Sequence, residues 1–281
     1  MHSPLEIAKN FVEIGLHKVR LSAFKMLVLG IFAGIYIGFA GIASTTASAT
    51  IENPSVARLL SACVFPAGMA MVLIAGSELF TGNNLIIISL LEKKIKLTEM
   101  LKNWFFVFAG NFIGAFFVAV MVVYAGIPGL YDGRLAEKMV AAALTRVNQT
   151  FPEAFARGVL CNILVCVAVW GAFAAKKVSG KLLMSFWPVM LFVLCGFEHS
   201  IADIYFGVSG LLTMPKYGVS GDALTLASFL LKNLLPVTLG NIAGGAGIVG
   251  CGYWAMYLRH TPGYVQPIEQ EQEEIDAAEE Y

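Results

Sequence analysis

Charge is scarce in this chain. Asp, Glu, Lys and Arg make up 14% of its 281 residues and hydrophobic types 58%. The mean hydropathy is +0.74. Water-soluble domains carry charge on about a quarter of their residues, so this is the composition of an integral membrane protein that meets lipid. The 19 basic side chains balance the 19 acidic ones and form no basic patch, which argues against nucleic acid as a partner. Histidine is rarer still, with four in all. The five cysteines (Cys63, Cys161, Cys166, Cys195 and Cys251) form no Cys-x-x-Cys pair and have no histidine at metal-ligand spacing. They read as reduced packing residues. No metal or other cofactor is expected, and no nucleophile set suggests an enzyme. The N-terminus lacks a short apolar run with a cleavage site.

What the chain has is long apolar runs. A membrane-spanning helix needs roughly 20 apolar residues, and six candidates occur, at about 26–50, 58–91, 103–127, 154–175, 182–214 and 225–258. The second and fifth are too long and too interrupted to be single straight helices. Twelve Lys and Arg fall on the side of the N-terminus, the 92–102 loop, the 176–181 loop and the C-terminus, against seven on the other. The bias places both termini in the cytoplasm of a multi-pass plasma (inner) membrane protein. Residues 1–25 read as a cytoplasmic amphipathic segment, with Leu5, Ala8, Val12, Gly15, Leu16 and Val19 near one face of a helix that could lie at the interface. Residues 26–260 form the membrane domain. The remainder, 261–281, holds seven acidic residues without a basic partner and reads as a disordered acidic tail.

One motif is written twice. Gly76-Ser77-Glu78-Leu79-Phe80-Thr81-Gly82-Asn83 lies in the second span and Gly196-Phe197-Glu198-His199-Ser200-Ile201-Ala202-Asp203 in the fifth. A Gly-Asn-x-x-Gly string follows each, at Gly110–Gly114 and Gly240–Gly244. The order recurs once per three-span half, 26–127 and 154–258. An odd number of spans per half makes the halves inverted repeats. The fold expected is all-α, six spans in two inverted three-helix repeats, with the second and fifth helices broken. The breaks are expected at Gly82-Asn83-Asn84 and near His199-Ser200, followed by half-helices Leu85–Leu91 and Ile201–Leu212.

Carboxylates and a histidine inside apolar spans are costly and point to function. Two half-helix N-termini facing one another favour an anion over a cation. Thr81 offers a hydroxyl and His199 an exchangeable proton. Phe65, Met69, Leu79 and Phe192 are large apolar residues flanking them. A bare anion loses hydration in such a constriction and a neutral acid does not, so His199 can lend a proton to a weak-acid anion or hold it by a charge-assisted hydrogen bond. Other readings stand beside these. Thr81 can be a loop cap, Phe65 and Phe192 packing residues, and Glu78 and Glu198 carboxylates that bond the backbone freed at the breaks.

At these residues the chain resembles the formate/nitrite transporter family, over about 10–258. The resemblance lies in Gly76–Gly82, Gly196–Ala202 and Gly158-Val159-Leu160-Cys161-Asn162 followed by Val165-Cys166 and Trp170. It implies an aquaporin-like fold, a homopentamer with one pore per protomer, and passage of formate, nitrite, hydrosulfide or similar small monovalent anions, with protons as a further partner. By position, Thr81 matches the family's loop threonine, His199 its central histidine, Phe65 and Phe192 its collar aromatics and Leu79 a collar leucine. Met69 stands where leucine is frequent. Lys18 matches a basic residue at the cytoplasmic mouth, and Arg146 one in the outer vestibule. Asn162 joins Glu78 and Glu198 as an expected support of the breaks. Asp203 departs from the family's usual asparagine. A neutral-solute pore of aquaporin type would carry two Asn-Pro-Ala strings, and the chain has none. Formate, nitrite and hydrosulfide stay unranked, and one titratable pore residue suits a passive channel or a proton symporter.

Overall fold

The computed structural model describes residues 1–259; the expected acidic tail lies outside the described residues. Among the described residues all regular structure is helical. The principal helices are α1 (Pro4–Arg20), α2 (Ala23–Ser48), α3 (Pro54–Ala75), α4 (Gly82–Leu91), α5 (Leu97–Tyr124), α6 (Arg134–Val147), α7 (Phe151–Ala174), α8 (Val178–Cys195), α9 (Ser200–Tyr217) and α10 (Leu226–Tyr257). Six of them, α2, α3, α5, α7, α8 and α10, are long and apolar enough to cross a membrane. The helix α6 lies between the halves, where the sequence showed only a connection.

Small residues decide the closest packing. Gly30 and Gly34 of α2 lie against Val107, Gly110, Asn111 and Ala115 of α5, so close that a Cβ at Gly34 would collide with the Asn111 carbonyl. The second half repeats this between α7 and α10, with Gly158 against Val237 and Gly240, and Gly244 against Val159. In lipid, where no hydrophobic effect drives helices together, such backbone-to-backbone contact is what holds them. Two π-helical stretches, Phe229–Leu234 and Ala243–Gly250, widen α10.

Both interrupted spans break, but the first breaks earlier than expected. The helix α3 stops at Ala75 because Gly76 takes φ 73°, a left-handed conformation that glycine alone adopts without cost. Residues 77–80 run without helix, and Gly82-Asn83-Asn84 is already the first turn of α4, in 3₁₀ geometry. The composition of Gly82-Asn83-Asn84 suggests a break, whereas the Asn83 and Asn84 side chains bond within the fold and the positive φ sits upstream at Gly76. In the second copy α8 ends at Cys195, Gly196 takes φ 74°, and α9 begins at Ser200. That helix reaches Tyr217, longer than the expected half-helix.

The apolar face of α1 is covered by protein. Ile7, Ala8, Phe11, Val12, Gly15 and Val19 are buried, and Ser89 Oγ of α4 donates to the carbonyls of Phe11 and Val12. Phe11 stacks on Trp170 of α7, with centroids 5.3 Å apart. Cys161 and Cys166 are buried and Cys63 and Cys195 exposed on the single chain; all five thiols are free.

Candidate functional site

The two breaks are held by the same hydrogen bonds. Beyond Gly76 the Ser77 N–H donates to the Val72 carbonyl, and beyond Gly196 the Phe197 N–H donates to that of Phe192. The Glu78 N–H donates to Leu29 O, and the Glu198 N–H to Arg157 O. One asparagine then clasps each break. Asn111 Nδ2 donates to Gly30 O and Glu78 O, both at 2.8 Å, and its Oδ1 accepts from Phe80 N–H at 2.9 Å. Asn241 Nδ2 donates to Gly158 O and Glu198 O, at 2.8 and 3.1 Å, and its Oδ1 accepts from Ser200 N–H at 3.0 Å. Unravelled backbone in an apolar setting must have its polar groups satisfied internally, and these amides do it. The sequence reading missed their role; the signal was the second repeated string, Gly-Asn-x-x-Gly.

The breaks meet at Thr81 and His199. Thr81 Oγ1 lies 2.8 Å from His199 Nε2, both buried. His199 also caps α9, its Nδ1 accepting the Ala202 N–H at 3.2 Å. A ring nitrogen that accepts carries no proton, so in the neutral ring the proton is on Nε2 and is donated to the Thr81 hydroxyl. That hydroxyl keeps its own hydrogen as a donor. The Thr81 carbonyl is held by Asn162 Nδ2 at 3.2 Å, and the same amide donates to Asn241 O at 2.7 Å and Asn84 Oδ1 at 3.2 Å.

A cavity lies on either side. One, of about 400 Å³, is walled by Phe65, Phe192, His199, Glu198, Asp203 and Arg146 among others. The other, of about 440 Å³, is walled by Met69, Leu79, Val72, Glu78, Asn83 and Lys18 among others. Thr81 lines neither. Phe65 and Phe192 meet edge to face with centroids 5.8 Å apart, and Phe192 stacks on the His199 ring at 5.9 Å. All four apolar side chains are almost wholly buried. The structure thus gathers the six residues singled out by sequence between two cavities, as two aromatic rings, a histidine, a threonine and two aliphatic side chains.

Neither basic residue is a free charge. Lys18 Nζ donates to Glu78 Oε1 at 2.7 Å and Asn83 Oδ1 at 3.0 Å. Asn83 Nδ2 in turn donates to Glu78 Oε2 and to Asn103 Oδ1. Arg146 Nε lies 2.8 Å from Asp203 Oδ1 and 3.3 Å from Glu198 Oε2, with its guanidinium 4.0 Å over the Phe206 ring. Each glutamate of the repeated motif is therefore bound to a cation from outside its own repeat motif. No group of metal-ligating side chains occurs among the described residues.

Comparison with known proteins places this arrangement in context. A family profile described as formate/nitrite transporter matches residues 5–255. The chain is 36% identical over 272 residues to the formate channel FocA of Haemophilus influenzae, covering 92% of this chain and 95% of that one. It is 33% identical to FocA of Escherichia coli K12, with the same coverage. Among solved structures it is similar to a pentameric formate channel with formate bound, with a TM-score of 0.73 and 33% identity over 84% of this chain and 97% of the other. It is also similar to an FNT family ion channel, with a TM-score of 0.81 and 30% identity over 89% and 98%.

Proposed function

The chain belongs to the formate/nitrite transporter family, and from that premise we propose that it is a membrane channel for small monovalent weak-acid anions, formate or nitrite, and not an enzyme. The observation that carries this reading is the Thr81–His199 hydrogen bond, closed between two cavities by apolar collars. An anion entering either cavity meets Phe65 and Phe192, or Met69 and Leu79, and must shed water there. The one compensation at that depth is the donor pair: the Nε2–H of His199 and the hydroxyl of Thr81. Either can take the place of lost water on a carboxylate or nitrite oxygen. If Nδ1 first takes up a proton and releases the Ala202 N–H, the imidazolium can pass its Nε2 proton to the anion, leaving the neutral ring and a neutral acid that crosses an apolar collar at far lower cost. Hydrosulfide fits the same passage by charge and size.

Family membership and the likeness to a pentameric channel support a homopentamer with one pore per protomer. Three spans per half and matching hydrogen bonds at both breaks support inverted repeats. The excess of basic residues near the N-terminus and the 92–102 loop supports cytoplasmic termini in an inner membrane, with the Lys18 cavity facing the cytoplasm.

Uptake of labelled formate, nitrite and hydrosulfide into proteoliposomes, with acetate and lactate for comparison, tests the reading across about pH 5 to 8. Formate or nitrite flux is expected in the native protein. His199→Ala is expected to lower it about tenfold or more and to remove its proton-linked component. Unchanged uptake with unchanged pH dependence would take His199 out of the mechanism.

A further inference from the structure

Asn83 and Asp203 hold the same place in the two copies of the motif, and only the second is a carboxyl group. In the first copy one cation meets one carboxylate, Lys18 with Glu78, and the Asn83 amide bonds both. In the second, a single guanidinium nitrogen, Arg146 Nε, faces Asp203 and Glu198 together at 2.8 and 3.3 Å. Both carboxyl side chains are buried, Asp203 completely.

One N–H does not satisfy two buried carboxylates, and an ionised carboxylate only accepts, so a proton on one of the two is the donor that the pair lacks. Two like charges facing one cation at such depth resist ionising together. The remaining oxygens agree with this. Gln149 Nε2 donates to Glu198 Oε1 at 2.7 Å, whereas Glu198 Oε2 and Asp203 Oδ2 receive no hydrogen bond among the described residues. Other charged or titratable groups lie around the pair. On α7, the Arg157 guanidinium donates to the Gly196 carbonyl, and Cys161 is a buried thiol. Lys138 of α6 and Arg58 of α3 line the same cavity, with Glu52 at its edge, and the Arg58 guanidinium lies beside Gly196. His199 adjoins Glu198 in the chain and is committed to Thr81 and Ala202.

We propose that Glu198 and Asp203 bind a single proton between them, making a proton-binding site in the Arg146 cavity that is separate from His199. With the proton bound, Arg146 and the pair are electrically balanced, as Lys18 and Glu78 are. When it leaves, the wall of the cavity becomes one charge more negative. On the reading of the cavity as an anion path, that charge opposes entry and the pair couples external acidity to flux.

Infrared difference spectroscopy of the purified native protein in liposomes, titrated from about pH 5 to 9 without any transported ion, tests the site directly. A protonated carboxylic C=O band is expected, downshifted in deuterated buffer and lost in Asp203→Asn, which places at 203 the residue type that the first copy carries. Glu198→Gln, read in the same way, supplies a second variant should Asp203→Asn fail to fold. Absence of the band in the native protein, or its survival in whichever variants fold, overturns the proposal. Because no anion is present, a failure of formate transport would leave this result standing. In flux measurements the ratio of Asp203→Asn to native uptake is expected to rise about fivefold from the acid to the alkaline end of the range, the order of effect of one charge in the cavity wall. A constant ratio would overturn the coupling to flux.

Discussion

The two halves of the molecule share a scaffold and differ in what fills it. Asn111 and Asn241 make the same three hydrogen bonds to the same three kinds of backbone group, and Gly76 and Gly196 end their helices at nearly the same φ. The differences begin with the side chains that the scaffold presents. The first break offers Thr81 and a balanced Lys18–Glu78 pair; the second offers His199 and a crowded Arg146 with two carboxyl groups. The small residue Gly34 packs on the Asn111 carbonyl, whereas Asn162, its counterpart, donates to the Asn241 carbonyl and reaches across to Thr81. Asn103 bonds Asn83 and the Lys18 carbonyl, whereas neither polar side-chain atom of Asn233 has a partner among the described residues. Backbone geometry tolerates little change because every exposed polar group in lipid must be paired. Side chains beyond that requirement are free to diverge, and the proposed passage of an anion and a proton needs different chemistry at its two sides.

The comparison can be broken first at the clasps. Asn111→Leu and Asn241→Leu each strand one buried N–H and two buried carbonyls, at about 1–3 kcal/mol per group. Both variants are expected to lose the folded oligomer, with similar midpoints by thermal size-exclusion chromatography. A stable Asn241→Leu protein would show that the second break is held by other contacts. The ion pairs come next. Lys18→Met leaves Glu78 buried without its cation and is expected to cost about 3–5 kcal/mol. Arg146→Met leaves two carboxyl groups that share a proton, so it costs less than twice as much. Denaturation midpoints of the two variants and of Arg146→Met/Asp203→Asn measure the difference, and the double variant is expected to recover part of the loss. The smallest change concerns Thr81. Thr81→Ser keeps the hydroxyl beside His199 Nε2 and is expected to retain flux, while Thr81→Val lowers flux without dissociating the oligomer. Loss of assembly in Thr81→Val would assign the hydroxyl to holding the break.

The broken spans were legible because glutamate and histidine in apolar runs are costly enough to stand out, and because the motif occurs twice. The position of the first break was not legible. Gly82-Asn83-Asn84 has the composition of a break, yet the chain turns at Gly76, and which glycine takes positive φ depends on whether Asn111 is there to receive the freed backbone. The roles of Lys18 and Arg146 were legible only in part. Position along the chain suggests free charges at two mouths, and the fold brings a glutamate to each.

By itself the sequence determined the membrane setting, six apolar spans, the repeat and the pair of polar islands, since these follow from composition and spacing along the chain. Only the tertiary structure decided that Thr81 and His199, 118 residues apart, share one hydrogen bond, and that Glu198 and Asp203 crowd one guanidinium. Such pairings arise when glycine-lined helices approach to backbone contact within each half and the two breaks meet, a geometry set by packing of segments distant in the chain and not by any local run of residues.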